Sequence, residues 1–131
     1  QRLEKHVFLP GFRTDILGCI KAFDLFVMSS VTEGLGSAVL DAMAMGHAVV
    51  GTTAGGIPEA VVPGETGELV EPADPKPLAA AIVKLLKNPA LRRDYGEAGR
   101  QRVAQHFGVD RLVEGTLESY RRFTSQSANS T

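Results

Sequence analysis

The strongest constraint on what this chain folds into is an alternation. Short apolar runs rich in Val and Phe, "HVFLPG", "DLFVMSS", "AVVGTT" and "ELVEP", are separated by longer segments, and Gly or Pro stands at the joints. Strands with helices between them pair in parallel through right-handed crossovers, so the expected fold class is α/β, a parallel sheet with flanking helices. The first run is expected to end a strand at a Pro-Gly turn. "DILGCIKAF" reads as a helix capped by Thr14 or Asp15, and "DLFVMSS" as a buried strand running into a hydroxyl-rich loop. A helix over residues 37–45, the strand "AVVGTT", the loop "AGGIPEAVVPGETG" and a short strand "ELVEP" complete the alternating part.

From Asp74 onward the pattern is purely helical. Leu78, Ile82, Leu85 and Leu86, then Leu91, Tyr95, Ala98 and Val103, recur at helical spacing. Pro75 and Pro77 open the first of three helices, Asn88 and Pro89 separate it from the second, and Gly108 precedes the third, "VDRLVEGTLESYRRF". The small polar tail "TSQSANST", residues 124–131, is expected to be disordered.

Composition removes several classes of function. With 131 residues, 44% hydrophobic content and a net charge of -1, the chain reads as one domain of ordinary make-up. It has no basic excess for nucleic acid, and no apolar run near the roughly 20 residues that cross a bilayer. The lone cysteine, Cys19, lies in an apolar helical pattern and reads as a structural thiol, which favours a reducing, cytoplasmic setting. His6 and His106 lack metal-like companions, so no metal site is expected. Met28, Met43 and Met45 read as core filling, and His47 as a dipole partner at a helix end.

The chemistry concentrates in "EGLGSAVLDAMAMGHAVV", residues 33–50. Gly34 and Gly36 let a ligand approach the backbone, and the first amides of the following helix, near residues 37–40, point out of its end toward anions such as phosphate. Glu33 in the loop and Asp41 in about the first helical turn border one pocket from different sides. A carboxylate accepts from two neighbouring hydroxyls, which suits a ribose diol or a sugar ring. Sugar nucleotides carry both, with a diphosphate between. Two carboxylates beside a diphosphate repel it by roughly 4 kcal/mol per close unit-charge pair at an effective dielectric near 20, so cations must offset them. Arg13 and Lys21 are the candidates, although each reads equally well as a solvated surface charge. Glu33 and Asp41 likewise have a plainer reading, as a loop acid and a helix-dipole acid.

At these residues the chain resembles the retaining GT-B glycosyltransferases of family 4, the group 1 glycosyl transferases. Their donor-domain signature, Glu, seven residues, then Glu, usually as Glu-Gly-aromatic-Gly followed by a Glu-Ala-Met-Ala-type helix and a Pro-Val-Val strand, stands here as "EGLGSAVLDAMAMGHAVVGT". The flanking "VFLPGFRTDI", "FDLFVMSS", "GGIPEAVVPGETGELVEPADPKPLAAAI" and "LRRDYGEAGRQRVAQHFGVDRLVEGTLESY" extend the likeness to about Phe123. The resemblance implies a Rossmann-like half-domain of a GT-B fold, with residues 1–123 a partial nucleotide-sugar-binding domain. It implies that Glu33 contacts donor-sugar hydroxyls at the reacting centre. Gly34, Leu35, Gly36 and Ser37 would hold sugar and phosphate oxygens, and Asp41 the ribose. Leu9, Pro10 and Gly11 would sit beside the base, with Arg13, Gly55 and Gly56 bordering the pocket.

Departures from the family pattern are Asp41 for the usual Glu, about 1.5 Å shorter, Leu35 for the usual aromatic, and Ala48 for a common Pro. The resemblance also places the Arg and Lys that neutralise the diphosphate upstream of Gln1, and the acceptor-binding N-terminal domain further upstream. The expected activity is therefore that of the full-length protein: transfer of a sugar from a nucleotide diphosphate donor to a hydroxyl acceptor, with retention and without metal or cofactor. The fragment alone is expected to be inactive, with an unpaired sheet edge. Its expected partners are the donor, an acceptor and the missing N-terminal domain, with any peripheral membrane contact made through that missing part. The residues leave open two other classes, a noncatalytic nucleotide-sugar-binding module and another GT-B-type enzyme such as a nucleotide-sugar epimerase. They name neither base, sugar, acceptor nor oligomeric state.

Overall fold

The computed structural model describes residues 3–128. Among them, β1 (Phe26–Met28), β2 (Val49–Thr52) and β3 (Gly67–Val70) form a parallel sheet in the order β1-β2-β3. The register sets Phe26 beside Val49 and Val49 beside Gly67. The helices are α1 (Ile16–Lys21), α2 (Ser37–Ala44), α3 (Ile57–Ala60), α4 (Pro75–Leu86), α5 (Pro89–His106) and α6 (Val109–Ala128).

β2 is the centre of this sheet, and all four of its residues are buried. Successive side chains of a strand point to opposite faces. Val49 accordingly enters one cluster with Ile20, Val39, Met43 and Ile57, while Val50 enters another with Ala81, Leu85 and Tyr95. Each valine contributes roughly 1.5–3 kcal/mol by leaving water. The first cluster lies under α1, α2 and α3. The second lies under α4 and the start of α5, and α5 runs on to pack against α2 through Gly96 and Gly99.

The helix boundaries follow local chemistry. The Asp74 side chain accepts from the Lys76 amide and Pro75 occupies the first position of α4; the Asn88 side chain accepts from the Leu91 amide ahead of Pro89 in α5. α1 departs from expectation, because neither Thr14 nor Asp15 caps it with a side chain. Asp15 is engaged instead by Arg13.

Two expectations need correcting. Residues 7–9 join no strand: Val7, Phe8 and Leu9 are exposed, and among the described residues β1 pairs only with β2, which leaves its other edge unpaired by them. A strand exists only where a partner supplies the ladder, whatever the propensity of the run. At the other end, Thr124 does not begin a separate tail, since α6 continues to Ala128; residues 129–131 of the expected tail lie outside the described residues. The apolar residues of α6, including Leu112, Leu117, Tyr120 and Phe123, are exposed. Met43 is fully buried, with Met28 and Met45 packed against its cluster.

Candidate functional site

Two loops meet beyond the carboxyl ends of β1 and β2, the edge where open parallel sheets bind ligands. The first, residues 29–36, carries Glu33. The second, residues 53–56, carries the glycine pair. They are joined backbone to backbone: the Gly56 amide donates to the Gly34 carbonyl at 2.7 Å. A Cβ on Gly56 would fall 3.1 Å from the Leu35 α-carbon. Thr52, 2% exposed, donates its hydroxyl to the Ser30 carbonyl at 2.6 Å and fixes the start of the first loop to β2.

Glu33 is half-buried, and its carboxylate is oriented by its own loop. One oxygen accepts from the Gly34 amide at 3.0 Å and the other from the Ser30 hydroxyl at 3.2 Å. A carboxylate oxygen has two acceptor positions, so each retains one for an incoming hydroxyl. Such fixed polar groups need little reorganisation when a ligand arrives. Neither Ser30 nor Thr52 stands out in the sequence; the only signals for them are the hydroxyl-rich end of "DLFVMSS" for Ser30 and the Thr pair closing "AVVGTT" for Thr52.

Gly36 turns the loop into α2 with φ +73°, a conformation side chains rarely adopt, and it has no side-chain cap to offer. Its carbonyl accepts from the Val39 amide at 2.8 Å and the Leu40 amide at 3.4 Å. The outward-facing set is therefore smaller than residues 37–40: the Ser37 and Ala38 amides are the ones that keep no acceptor among the described residues. Ser37 is exposed and Asp41, one turn on, shares that exposed stripe, while Val39, Ala42 and Met43 are buried on the opposite side. Asp41 is the fifth residue of α2 and so belongs to its second turn rather than its first.

The structure thus brings together Glu33, Gly34, Leu35, Gly36 and Ser37 with Gly55 and Gly56, and sets Asp41 a turn along the same helix. It does not add the base-side residues. Leu9 is 87% exposed, Gly11 has no heavy atom within 4 Å of its Cβ position, and no hydrogen bond ties residues 9–11 to the Glu33 loop. Arg13 is committed elsewhere. It grips both oxygens of Asp15 at 2.7 and 2.5 Å, a contact that raises the arginine's pKa and lowers that of the aspartate.

Two concavities flank the loop. One of about 200 Å³ is lined by Ser29, Val31, Thr52, Glu71, Asp74 and Leu78. Another of about 280 Å³ lies between Leu35 and Leu40 on one side and Phe107, Arg111 and Leu112 on the other. Leu35 is 58% exposed at its edge. The Nε2 of His47, the residue expected as a dipole partner, is buried and has no hydrogen-bond partner among the described residues. Among the described residues no three of His, Cys, Asp or Glu gather as a metal site, and no helix is long and apolar enough to cross a membrane.

A parallel sheet with flanking helices, bearing a glycine-bent loop and open helix-start amides at its carboxyl edge, defines the Rossmann-like class found in the C-terminal domains of GT-B enzymes. The chain belongs to the glycosyl transferases group 1 family, whose sequence model matches residues 1–102. It is 41% identical over 112 residues to alpha-maltose-1-phosphate synthase of Mycolicibacterium smegmatis, covering 81% of this chain and 29% of that enzyme. The C-terminal domain of a group 1 family glycosyl transferase from Francisella tularensis superposes with a TM-score of 0.70 at 31% identity, over 79% of this chain and 53% of that one. HepE from Anabaena, solved in complex with UDP-glucose, superposes with a TM-score of 0.81 at 30% identity, over 89% of this chain and 33% of that one. The chain spans about three tenths of the length of the curated relatives it matches, 29% of the enzyme from M. smegmatis and 29% of the N-acetyl-alpha-D-glucosaminyl L-malate synthase of Bacillus anthracis.

Proposed function

We propose that this chain is the distal part of the donor-binding domain of a retaining glycosyltransferase, which moves a sugar from a nucleotide diphosphate to a hydroxyl acceptor without metal. The observation that carries the reading is the Glu33 carboxylate, aimed by Gly34 and Ser30 beside two open amides at the start of α2. In this reading Glu33 accepts from hydroxyls of the donor sugar. The Ser37 and Ala38 amides meet the phosphate oxygens, and Asp41 takes the ribose diol. As the glycosidic bond breaks, the sugar gains positive character and the diphosphate negative, so the acid helps position the first and the amides stabilise the second. Support also comes from the UDP-glucose held by HepE, a relative of the same fold.

The test is the full-length protein with a panel of nucleotide sugars. Transfer or donor hydrolysis that survives chelation and collapses in Glu33→Gln, with the product anomer matching the donor by NMR, is the expected result. Donor binding without turnover on any acceptor would favour a noncatalytic module instead. An inverted anomer would overturn the retaining chemistry.

A further inference from the structure

We infer that Arg102 is a positioning residue for this site: from α5 it anchors the far end of α3, whose near end carries the glycines pressed against the Glu33 loop. Arg102 Nε donates to the Ala60 carbonyl and an Nη to the Glu59 carbonyl, both at 2.8 Å. These are the last two carbonyls of α3. A helix of four residues is a poor holder of its own shape, because nucleation is costly and few internal bonds repay it. Its placement is decided by what grips it from outside.

One grip is burial in the first core cluster, which takes Ile57 and Ala60 of α3 together with the flanking Ala54 and Val61. Ile57 is fully buried, its Cγ2 2.8 Å from where a Cβ on Gly51 would stand and its Cγ1 3.4 Å from the corresponding point on Gly36. The other is the guanidinium of Arg102, which is half-buried, with its central carbon 5.9 Å from the centroid of the Phe107 ring. From that fork an unbroken path of covalent and hydrogen bonds runs through Ala60 and α3 to Gly56, across the 2.7 Å bond to the Gly34 carbonyl, and so to Glu33. Serving two successive carbonyls at once calls for a planar fork with several donors, which lysine lacks. The sequence offers only an arginine among several in "LRRDYGEAGRQRV", so nothing in the pattern singles it out.

The kinetic consequence rests on the donor-site reading; the structural one does not. In the full-length protein, hydrogen exchange should be followed at the amides of Gly56, Ile57, Glu59 and Val61, which donate to Gly34, Ala54, Gly56 and Ile57. In Arg102→Ala these four are expected to exchange about tenfold faster while the amides of α4 are unchanged. The kcat for transfer should fall about 10- to 100-fold with the donor KM within about threefold, because misplacement of a bound group costs mainly the chemical step. Added guanidinium at low concentration should restore part of the rate, and Arg102→Lys should behave like Arg102→Ala. If Arg102→Ala does not fold, Arg102→Lys carries the same comparison.

Equal acceleration of exchange in α3 and α4, or a lysine variant indistinguishable from wild type, overturns the positioning role. Faster exchange at α3 with an unchanged kcat overturns its catalytic consequence. A wild-type protein inactive with every donor sinks the donor-site reading, and the exchange measurement still decides whether Arg102 holds the loop.

Discussion

Gly55 packs on the backbone of Glu33 so closely that a methyl group built on it would fall 1.9 Å from the Glu33 carbonyl oxygen. Its φ of +53° adds a conformational cost for any side chain. Gly55→Ala is therefore expected to destabilise the domain by on the order of 2–3 kcal/mol, and to force residues 33–34 away from residues 55–56. A denaturant midpoint measures the loss. A midpoint equal to wild type would mean that the two loops do not meet as described.

The ribose assignment makes Asp41 separable from Glu33. In the full-length protein, Asp41→Ala should raise the donor KM by about tenfold with a smaller change in kcat, since a ribose contact is made equally in ground and transition states. Asp41→Glu should retain or improve binding, because the longer side chain reaches the same diol. A kcat that collapses with unchanged KM would remove Asp41 from the ribose.

Two helical glycines are expected to respond with opposite signs. Alanine is favoured over glycine in a helix by about 1 kcal/mol. Gly115 in α6 has open space around its Cβ position, so Gly115→Ala should stabilise by up to about that amount. A Cβ on Gly96 in α5 would stand 1.9 Å from the Gly46 carbonyl oxygen, so Gly96→Ala should instead cost on the order of 2 kcal/mol by pushing α5 off the end of α2. Thermal melts of both variants decide this, and a stabilised Gly96→Ala would refute the close crossing.

Tyr95 ties α5 to the sheet, its hydroxyl donating to Glu68 at 3.0 Å while Lys84 grips the same carboxylate oxygen at 2.6 Å. Burial first, then the hydrogen bond to Glu68, pushes the phenol's pKa up; the hydrogen bond to Glu68 also raises that of Lys84. The folded state therefore holds the phenolic proton more tightly than the unfolded chain, where it leaves near pH ~10. The associated stability is complete below that value and is lost as pH rises through the folded pKa. Between about pH 9 and pH 11 the melting temperature should fall more steeply for wild type than for Tyr95→Phe. Parallel slopes would contradict the coupling.

What the sequence made legible was whatever burial alone decides. The run "AVVGTT" and the helix after Gly36 fall where expected because Val49, Val50, Val39 and Met43 have nowhere to go but the core. The three closing helices were marked by Pro75, Asn88 with Pro89, and Gly108, whose backbone preferences are local. "HVFLPG" misled, since β-prone residues state a propensity and supply no partner. Within the site, the glycines and Glu33 were visible as residue types at telling positions. The hydroxyl bonds of Ser30 and Thr52, the pairing of Arg13 with Asp15 and the reach of Arg102 to α3 depend on rotamers and on segments distant in the chain, such as Ala60 and Arg102, which stand 42 positions apart.

The central place of β2 also governs the order in which the molecule can assemble. Neither outer strand can be laid down until residues 49–52 are in position, and each pairing closes a loop of about twenty residues before any ladder bond repays it. The rate-limiting event in refolding should accordingly be the arrival of this strand between its two neighbours, and substitutions there should slow folding more than they speed unfolding.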